Sequence, residues 1–304
     1  MLVRVLGSAA GGGFPQWNCN CPNCDGLRRG SIRATARTQS SIAVSANGVD
    51  WLLVNASPDV LTQLRAAPAL QPARAIRDSG IAAVLLMDAQ IDHVTGLLML
   101  RERSTPLPLM ATPEVLSDLS DGLPLTRVLS HYCGVAPLPL ALDAPQAVPG
   151  LPGVTVLALP LPSKPPPYSP FRERPRRGDN IGLLLANPQT GRRLFYAPGL
   201  GEVSDAVLAT MRGCDVVLVD GTFWTEDEMI RMGLSRKAAA EMGHLPQSGA
   251  GGMIAQLDRL PSGVRKVLIH INNTNPILRD DAPERAELTA HGIEVAFDGM
   301  EIAF

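Results

Sequence analysis

The run Ala82-Ala83-Val84-Leu85-Leu86-Met87 constrains this chain more than any other, because of what stands at its end. The apolar stretch reads as a strand, and it stops at an acid, Asp88. Asp92-His93 follows, ahead of a helical pattern that contains Gly96. An acid and a histidine at a strand end can take a metal ion from a rigid sheet edge, where many α/β proteins place their sites. A chain that presents such an edge has to build a sheet around it.

The remaining sequence supplies that sheet. Segments 2–7, 41–46 and 51–56 read as strands, the last two joined across Asn47-Gly48, a hairpin-favouring dipeptide. Further short apolar strands are expected at 107–111, 154–159, 181–186 and 194–197, with Ser204 as the N-cap of a helix through Met211. Segments 215–219 and 264–271 are continuously apolar, as strands of a buried sheet are. Helices are expected at 253–260 and 283–291, then a last strand near 294–297. The alternation predicts an α/β fold (α+β by some schemes) of two sheets face to face with helices outside. No linker divides it, so 1–304 is expected to be a single domain. Segment 160–178, Pro-rich and then Arg-rich, is expected to be a loop lying over a site.

Composition excludes several classes. A chain of 304 residues can bury the core of one α/β domain. A formal charge of −2 argues against a general nucleic-acid binder, which would show a basic patch. The apolar region 134–162 is punctuated by prolines at 137, 139, 145, 149, 152, 160 and 162, so no membrane insertion is expected. Met1–Leu6 lacks the basic and long apolar regions of a signal peptide and reads as a first strand. Three of the five cysteines are packed together, which suits a reducing, cytoplasmic setting and metal ligation better than disulfides.

Those three are Cys19, Cys21 and Cys24, on a turn rich in Pro and Asn after Gly11-Gly12-Gly13. Thiols at this spacing converge on one ion, and thiolate suits a structural zinc whose fourth ligand comes from far along the chain. Cys133 and Cys214 stand alone and read as small buried hydrophobes. His270 ends a strand and opens the polar turn Ile271-Asn272-Asn273-Thr274-Asn275-Pro276, a setting for a ligand rather than a core histidine. His244 lies in Gly243-His244-Leu245-Pro246-Gln247-Ser248-Gly249, a loop of the kind that carries catalytic side chains. Asp220 ends the strand 216–219 and either orients His244 and sets its tautomer or caps a helix. His131 and His291 read as structural.

Together, Leu6-Gly7-Ser8 with Gly11–Gly13, the cysteine cluster, Asp92-His93, Gly243-His244 and Ile269-His270 resemble the metallo-β-lactamase fold. The resemblance is to the branch holding the tRNA 3′-processing endonucleases and the phosphodiesterase of phosphonate metabolism. It is closer still to the B-protein family of pyrroloquinoline quinone (PQQ) biosynthesis. That likeness rests on Gly11 to Cys21, Asn55-Ala56-Ser57-Pro58-Asp59, Gly243 to Gly249 and His270 to Pro276, and spans nearly the whole chain. It implies an αββα sandwich with a site at the shared sheet edge.

The resemblance also makes the departures readable. A two-zinc hydrolase of this fold carries His-x-His-x-Asp-His at the first strand end, and here Asp88 and Gln90 replace the two early histidines. No histidine lies between His131 and His244, and Tyr196-Ala197-Pro198-Gly199-Leu200 stands where a bridging Asp would be. Asp92, His93 and His270 remain, with Asp88 as a fourth ligand or an acceptor behind them. Two histidines and a carboxylate with open positions is the ligand set of non-heme iron(II) oxygenases, and zinc accepts it as well.

For the B-protein family this implies hydroxylation of the tyrosine-derived ring of a cross-linked Glu-Tyr precursor, using Fe2+ and O2. His244, oriented by Asp220, would move protons. Arg172, Arg174, Arg176 and Arg177 would pair with substrate carboxylates, unless they are a solvated charge run. By register with the phosphodiesterase relatives the fourth zinc ligand falls at Asn273, with water or His244 as substitutes. Other PQQ biosynthesis proteins are the implied partners, and a homodimer is left open. Two other readings stand: a non-catalytic carrier of PQQ or its precursor assisting transport to the periplasm, and a metal-dependent phosphodiesterase.

Overall fold

The computed structural model describes residues 1–304. Its strands, in chain order, are β1 (Leu2–Gly7), β2 (Ser41–Ser45), β3 (Trp51–Val54), β4 (Ile81–Leu85), β5 (Leu107–Ala111), β6 (Val135–Pro139), β7 (Gln146–Ala147), β8 (Thr155–Pro160), β9 (Ile181–Ala186), β10 (Arg193–Ala197), β11 (Val216–Asp220), β12 (Arg265–Ile269), β13 (Ile293–Val295) and β14 (Glu301–Ala303). They are distributed over two compact units, each assembled from separate stretches of chain. Residues 1–7, 40–192 and 299–304 form the first, and residues 8–39 and 193–298 the second.

The first unit is organised by a seven-stranded sheet in the order β14-β1-β2-β3-β4-β5-β6. The β2–β3 hairpin turns at Asn47-Gly48, as the dipeptide predicts: Asn47 Oδ1 accepts from Val49 N and Asp50 N, each at 2.9 Å, and Gly48 has φ 76°. From β3 onward the pairing is parallel. Leu53, Val84, Leu109 and Ala111 bury against Val60, Val94, Leu97, Val115 and Leu119 of the short helices that follow the strands. The alternate residues Leu52, Val54, Ala83 and Leu85 are fully buried too, which is why these strands read as unbroken apolar runs. Three strands were illegible in the sequence, among them the two-residue β7. β6 carries Pro137 and Pro139, tolerated because it is the edge strand. β14 is three residues long and adds to β1 at the other edge. Strands β7, β8 and β9 form an antiparallel ribbon in the same unit.

The second unit holds four parallel strands in the order β13-β12-β11-β10. Ser204 caps the helix Asp205–Arg212, its Oγ accepting from Val207 N at 3.3 Å. Because β11 and β12 run parallel with Asp220 opposite Ile269, Asp220 and His270 emerge at the same sheet edge. Ser8 to Ala10 is laced to the residue after His270: Ile271 N donates to Ser8 O, and Ala10 N donates to Ile271 O, both at 2.9 Å. That ladder carries the cysteine turn to the end of β12. No helix is long and apolar enough to cross a membrane.

The Asp92-His93 turn is pinned at close quarters inside the first unit. Ala56 N donates to His93 O at 2.7 Å and Gly96 N to Ala56 O at 2.9 Å. A Cβ on Gly96 would run into the Ser57 and Ala56 carbonyl oxygens, the latter at 2.7 Å. Both obstacles are backbone, so relief requires moving the turn. Overpacking of this kind costs about 1–3 kcal/mol. Gly96→Ala is expected to lower unfolding stability by at least that range in urea titration, and an unchanged midpoint would show that the turn is looser than its packing implies.

Candidate metal centre

The cysteine turn of the second unit closes on one point. Cys19, Cys21 and Cys24 are buried, and their sulfurs lie within 4.8 Å of one another. Pro22 opens the helix Pro22–Arg29, and Gly30, in the left-handed conformation, ends it. Asn23 ties the turn to the distant loop by donating to Asn273 O at 3.1 Å and Asn275 O at 2.9 Å. The side-chain amide of Asn273 faces all three sulfurs, at 3.1 Å from Cys19, 3.6 Å from Cys21 and 3.4 Å from Cys24. Turning that amide over presents its carbonyl oxygen to the same point. Burial pushes the Cys21 thiol up to about 12. At Cys19 burial is outweighed by hydrogen bonds from the Cys21 backbone and side chain and from Asn273, so its pKa falls. Three thiols and an amide oxygen make a donor set that fits a closed, four-coordinate zinc.

In the first unit, Asp88 and Asp92 flank His93 unequally. His93 Nδ1 stands 2.8 and 2.9 Å from the two Asp88 carboxylate oxygens, while Asp92 Oδ2 lies 3.7 Å from Nε2. Asp88 also accepts from Gln90 N at 2.9 Å. Asp88 thus lies on the Nδ1 side of the His93 ring, and Nε2 faces Asp92. Burial disfavours the His93 cation, but the Asp88 and Asp92 charges and the Asp88 hydrogen bond outweigh it and raise the pKa to about 9.

The second unit assembles Asp220, Thr222, His244 and His270. Asp220 is fully buried. Its Oδ2 takes Leu200 N at 2.8 Å and meets His244 Nδ1 at 2.7 Å, and its Oδ1 takes Thr222 N at 2.9 Å and Thr222 Oγ1 at 2.6 Å. Asp220 thus faces His244 and braces its own turn through Thr222 N, but it caps no helix, the next one, Glu228–Arg231, opening at Asp227. His244 stacks on His270 with centroids 5.4 Å apart, and Phe223 meets it edge-on at 5.7 Å. His270 sits at φ 61°, a left-handed conformation rare for a non-glycine residue and frequent at functional sites. His244 is thus placed with Asp220, while Asn273 faces the sulfurs.

Two residues had no signal in the sequence. Thr222 is one ordinary threonine among several, yet its hydroxyl touches both histidines. Glu228 is buried, accepting from Trp224 N at 2.7 Å and from Thr274 Oγ1, and burial raises its pKa. It braces the loop that carries Asn272 and Asn273 through Thr274, to which Asn272 Nδ2 donates at 2.5 Å.

The Pro/Arg loop of the first unit does reach the Asp88–His93 segment, since Tyr168 Oη donates to Ala89 O. Its arginines are mostly spoken for by structure, however. Arg176 binds Asp118 at 3.1 Å and Asp179 at 2.9 Å and lies 3.8 Å over the Phe171 ring. Arg177 pairs with Asp143, and Arg172 donates to Pro165 O. The carboxylate-clamp expectation fails for Arg176, which two buried acids hold, while Arg172 is engaged by a loop carbonyl and Arg177 by an exposed acid.

A family model described as "Beta-lactamase superfamily domain" matches residues 50–271, and the chain belongs to that superfamily. Its fold class is therefore α/β, two mixed sheets flanked by helices. Coenzyme PQQ synthesis protein B of Cupriavidus necator is 66% identical over 302 residues, covering 99% of each chain. The protein of that name from Azoarcus sp. is 64% identical over 303 residues and covers all of both chains. A crystal structure of Zn(2+)-bound PqqB from Methylobacterium extorquens matches with a TM-score of 0.91 and 40% identity over the full length of both chains. The chain is a member of the coenzyme PQQ synthesis protein B family.

The Asp88–His93 pair has a measurable signature in metal-free protein. The folded pKa of about 9 lies above the ordinary 6.5, so the pair stabilises the fold fully below 6.5 and loses its contribution as pH rises through 9. In Asp88→Asn the His93 titration followed by NMR is expected to move down, and the slope of stability against pH between those values to flatten. An unmoved titration would remove Asp88 from this role.

Proposed function

We propose that this protein acts in PQQ biosynthesis as a metal-dependent hydroxylase of the tyrosine-derived ring of the cross-linked Glu-Tyr precursor. Family membership supports the pathway. The observation that carries the chemistry is the hydrogen bonding of the histidines: His93 Nδ1 is engaged by Asp88 and His270 Nδ1 by Thr222, at 2.9 Å. Each ring is thus held so that Nε2 is the nitrogen left for ligation, the arrangement typical of metal-bound histidines. In this reading Asp92, His93 and His270 hold an exchangeable Fe2+, and Cys19, Cys21, Cys24 and Asn273 hold a structural Zn2+.

Asp92, His93 and His270 would hold the Fe2+, which would supply the activation of O2. The chain's own residues do the rest. Asp88 keeps the His93 ring in place. Asp220, desolvated and held by two backbone N–H groups, orients His244 and stabilises its cation when Nε2 takes up a proton. His244 then receives and returns the proton of the substrate's phenolic oxygen. Phe223 and the stacked His270 restrict how that ring can turn.

Incubating anaerobically iron-loaded protein with the cross-linked dipeptide, then admitting O2, is expected to give a product one oxygen heavier by mass spectrometry. His244→Ala should retain iron and slow this by roughly 10²–10⁴-fold, the usual worth of general acid–base help. Release of unchanged dipeptide, bound but never oxidised, would favour a carrier instead.

The zinc assignment has its own test. Cys21→Ser is expected to lose the tightly held zinc and fall in thermal stability, since ligation of a closed site contributes directly to folding. Unchanged zinc content with an unchanged melting temperature would sink it.

A further inference from the structure

We infer that Thr222 is a positioning residue that fixes the tautomer of His270 and joins it, through one shared hydroxyl, to the Asp220–His244 pair. The inference rests on the reading that His270 is a metal ligand. It follows from counting protons at Thr222 Oγ1, which has four polar neighbours and one hydrogen. They are Asp220 Oδ1 at 2.6 Å, His270 Nδ1 at 2.9 Å, His270 O at 2.9 Å and His244 Nδ1 at 3.1 Å.

The Asp220 carboxylate and the His270 carbonyl only accept. If the hydroxyl proton went to His270 Nδ1, the hydroxyl and carboxylate oxygens would face each other at 2.6 Å with no proton between them. Such a pair, fully buried and with one oxygen charged, is far less favourable than leaving the longer 2.9 Å contact with the neutral His270 carbonyl without a proton. The hydroxyl therefore donates to Asp220. His270 must then carry its own proton on Nδ1 and donate it to Thr222, which leaves the Nε2 lone pair for a metal. His244 Nδ1, at 2.7 Å from Asp220 Oδ2, is held in the same tautomer by the carboxylate directly.

Two consequences meet in one side chain. The negative charge of Asp220 is relayed by the hydroxyl to His270, making that ring a better donor to a cation. The two rings are locked in a stack, 23° from parallel. The His270 carbonyl, 2.9 Å from the same oxygen, receives no proton from it, because the one hydroxyl hydrogen goes to Asp220.

The test uses full-length protein with ¹⁵N-labelled histidine. In metal-stripped wild type, long-range ¹H–¹⁵N spectra at a pH where the rings are neutral should show His270 and His244 as Nδ1–H tautomers. Thr222→Val, close to isosteric, should shift His270 toward the other tautomer while His244 stays with Asp220. Exchangeable Fe2+, measured anaerobically by chelator competition, should bind about 10–100-fold more weakly, the usual effect of losing such a partner. Thr222→Ser should restore both readouts, and it keeps the comparison available against Thr222→Ala if the valine variant folds poorly. Wild-type affinity and an unchanged His270 spectrum in the hydroxyl-free variants overturn the role of Thr222. Wild-type affinity in His270→Ala overturns the ligand assignment beneath it, so the two failures are separable.

Discussion

A fully buried carboxylate is the constraint on which the second unit's histidine cluster depends. Asp220 leaves a parallel sheet at a point where no solvent reaches it. An unpaired charge there would cost several kcal/mol, so each of its oxygens has to be satisfied from nearby. Leu200 N, Thr222 N, Thr222 Oγ1 and His244 Nδ1 meet that demand. Satisfying the acid positions the loop after β10, the turn after β11 and the His244 loop in one step. Gly201 is part of the same economy of space, since a Cβ there would stand 3.0 Å from Gly243 O.

The two proposed ion sites differ in how their donors are supported. Around the cysteines every donor is buried and aimed at one point, and Asn23 holds the remote loop by its backbone carbonyls. Such a site has no room for chemistry, and its energy goes into fastening the N-terminal turn to the end of β12. His93 and His270 are supported from behind instead, by Asp88 and by Thr222. Support from behind fixes the orientation of a histidine ring, which is the arrangement common behind metal-bound histidines. Asp88, which stands where the two-zinc hydrolases of this fold carry a histidine, lies against His93 Nδ1.

The loop 160–178 shows how charge can mislead. Four arginines in a Pro-rich stretch suggest anion binding, yet Arg176 is held between Asp118 and Asp179 over an aromatic ring. What brings the loop to the Asp88–His93 segment is the hydroxyl of Tyr168, through the carbonyl of Ala89. The arginines fix the loop's shape so that a neutral residue can make that contact.

Periodicity and end residues made much of this molecule legible in one dimension. The continuous apolar runs of β4, β11 and β12, the Asn47-Gly48 hairpin and the Ser204 cap are local signals that their surroundings did not override. Cys19, Cys21 and Cys24 were visible because thiols at close spacing in a turn report their own convergence. Asp92-His93, Asp220 and His270 were visible because each interrupts a strand with a polar group where a simple exit was expected. The sequence could not place β6, β7 or β14, since edge strands need neither apolar runs nor a full set of N–H donors. It gave no weight to Thr222 or Glu228 either. A hydroxyl acquires its role only from the atoms that surround it, and those come from β11, β12 and the His244 loop, far apart in the chain. The kind of chemistry was therefore written in residue types and spacing, while the direction of each proton was decided by three-dimensional proximity, because hydrogen bonds act over about 3 Å and sequence distance does not measure that.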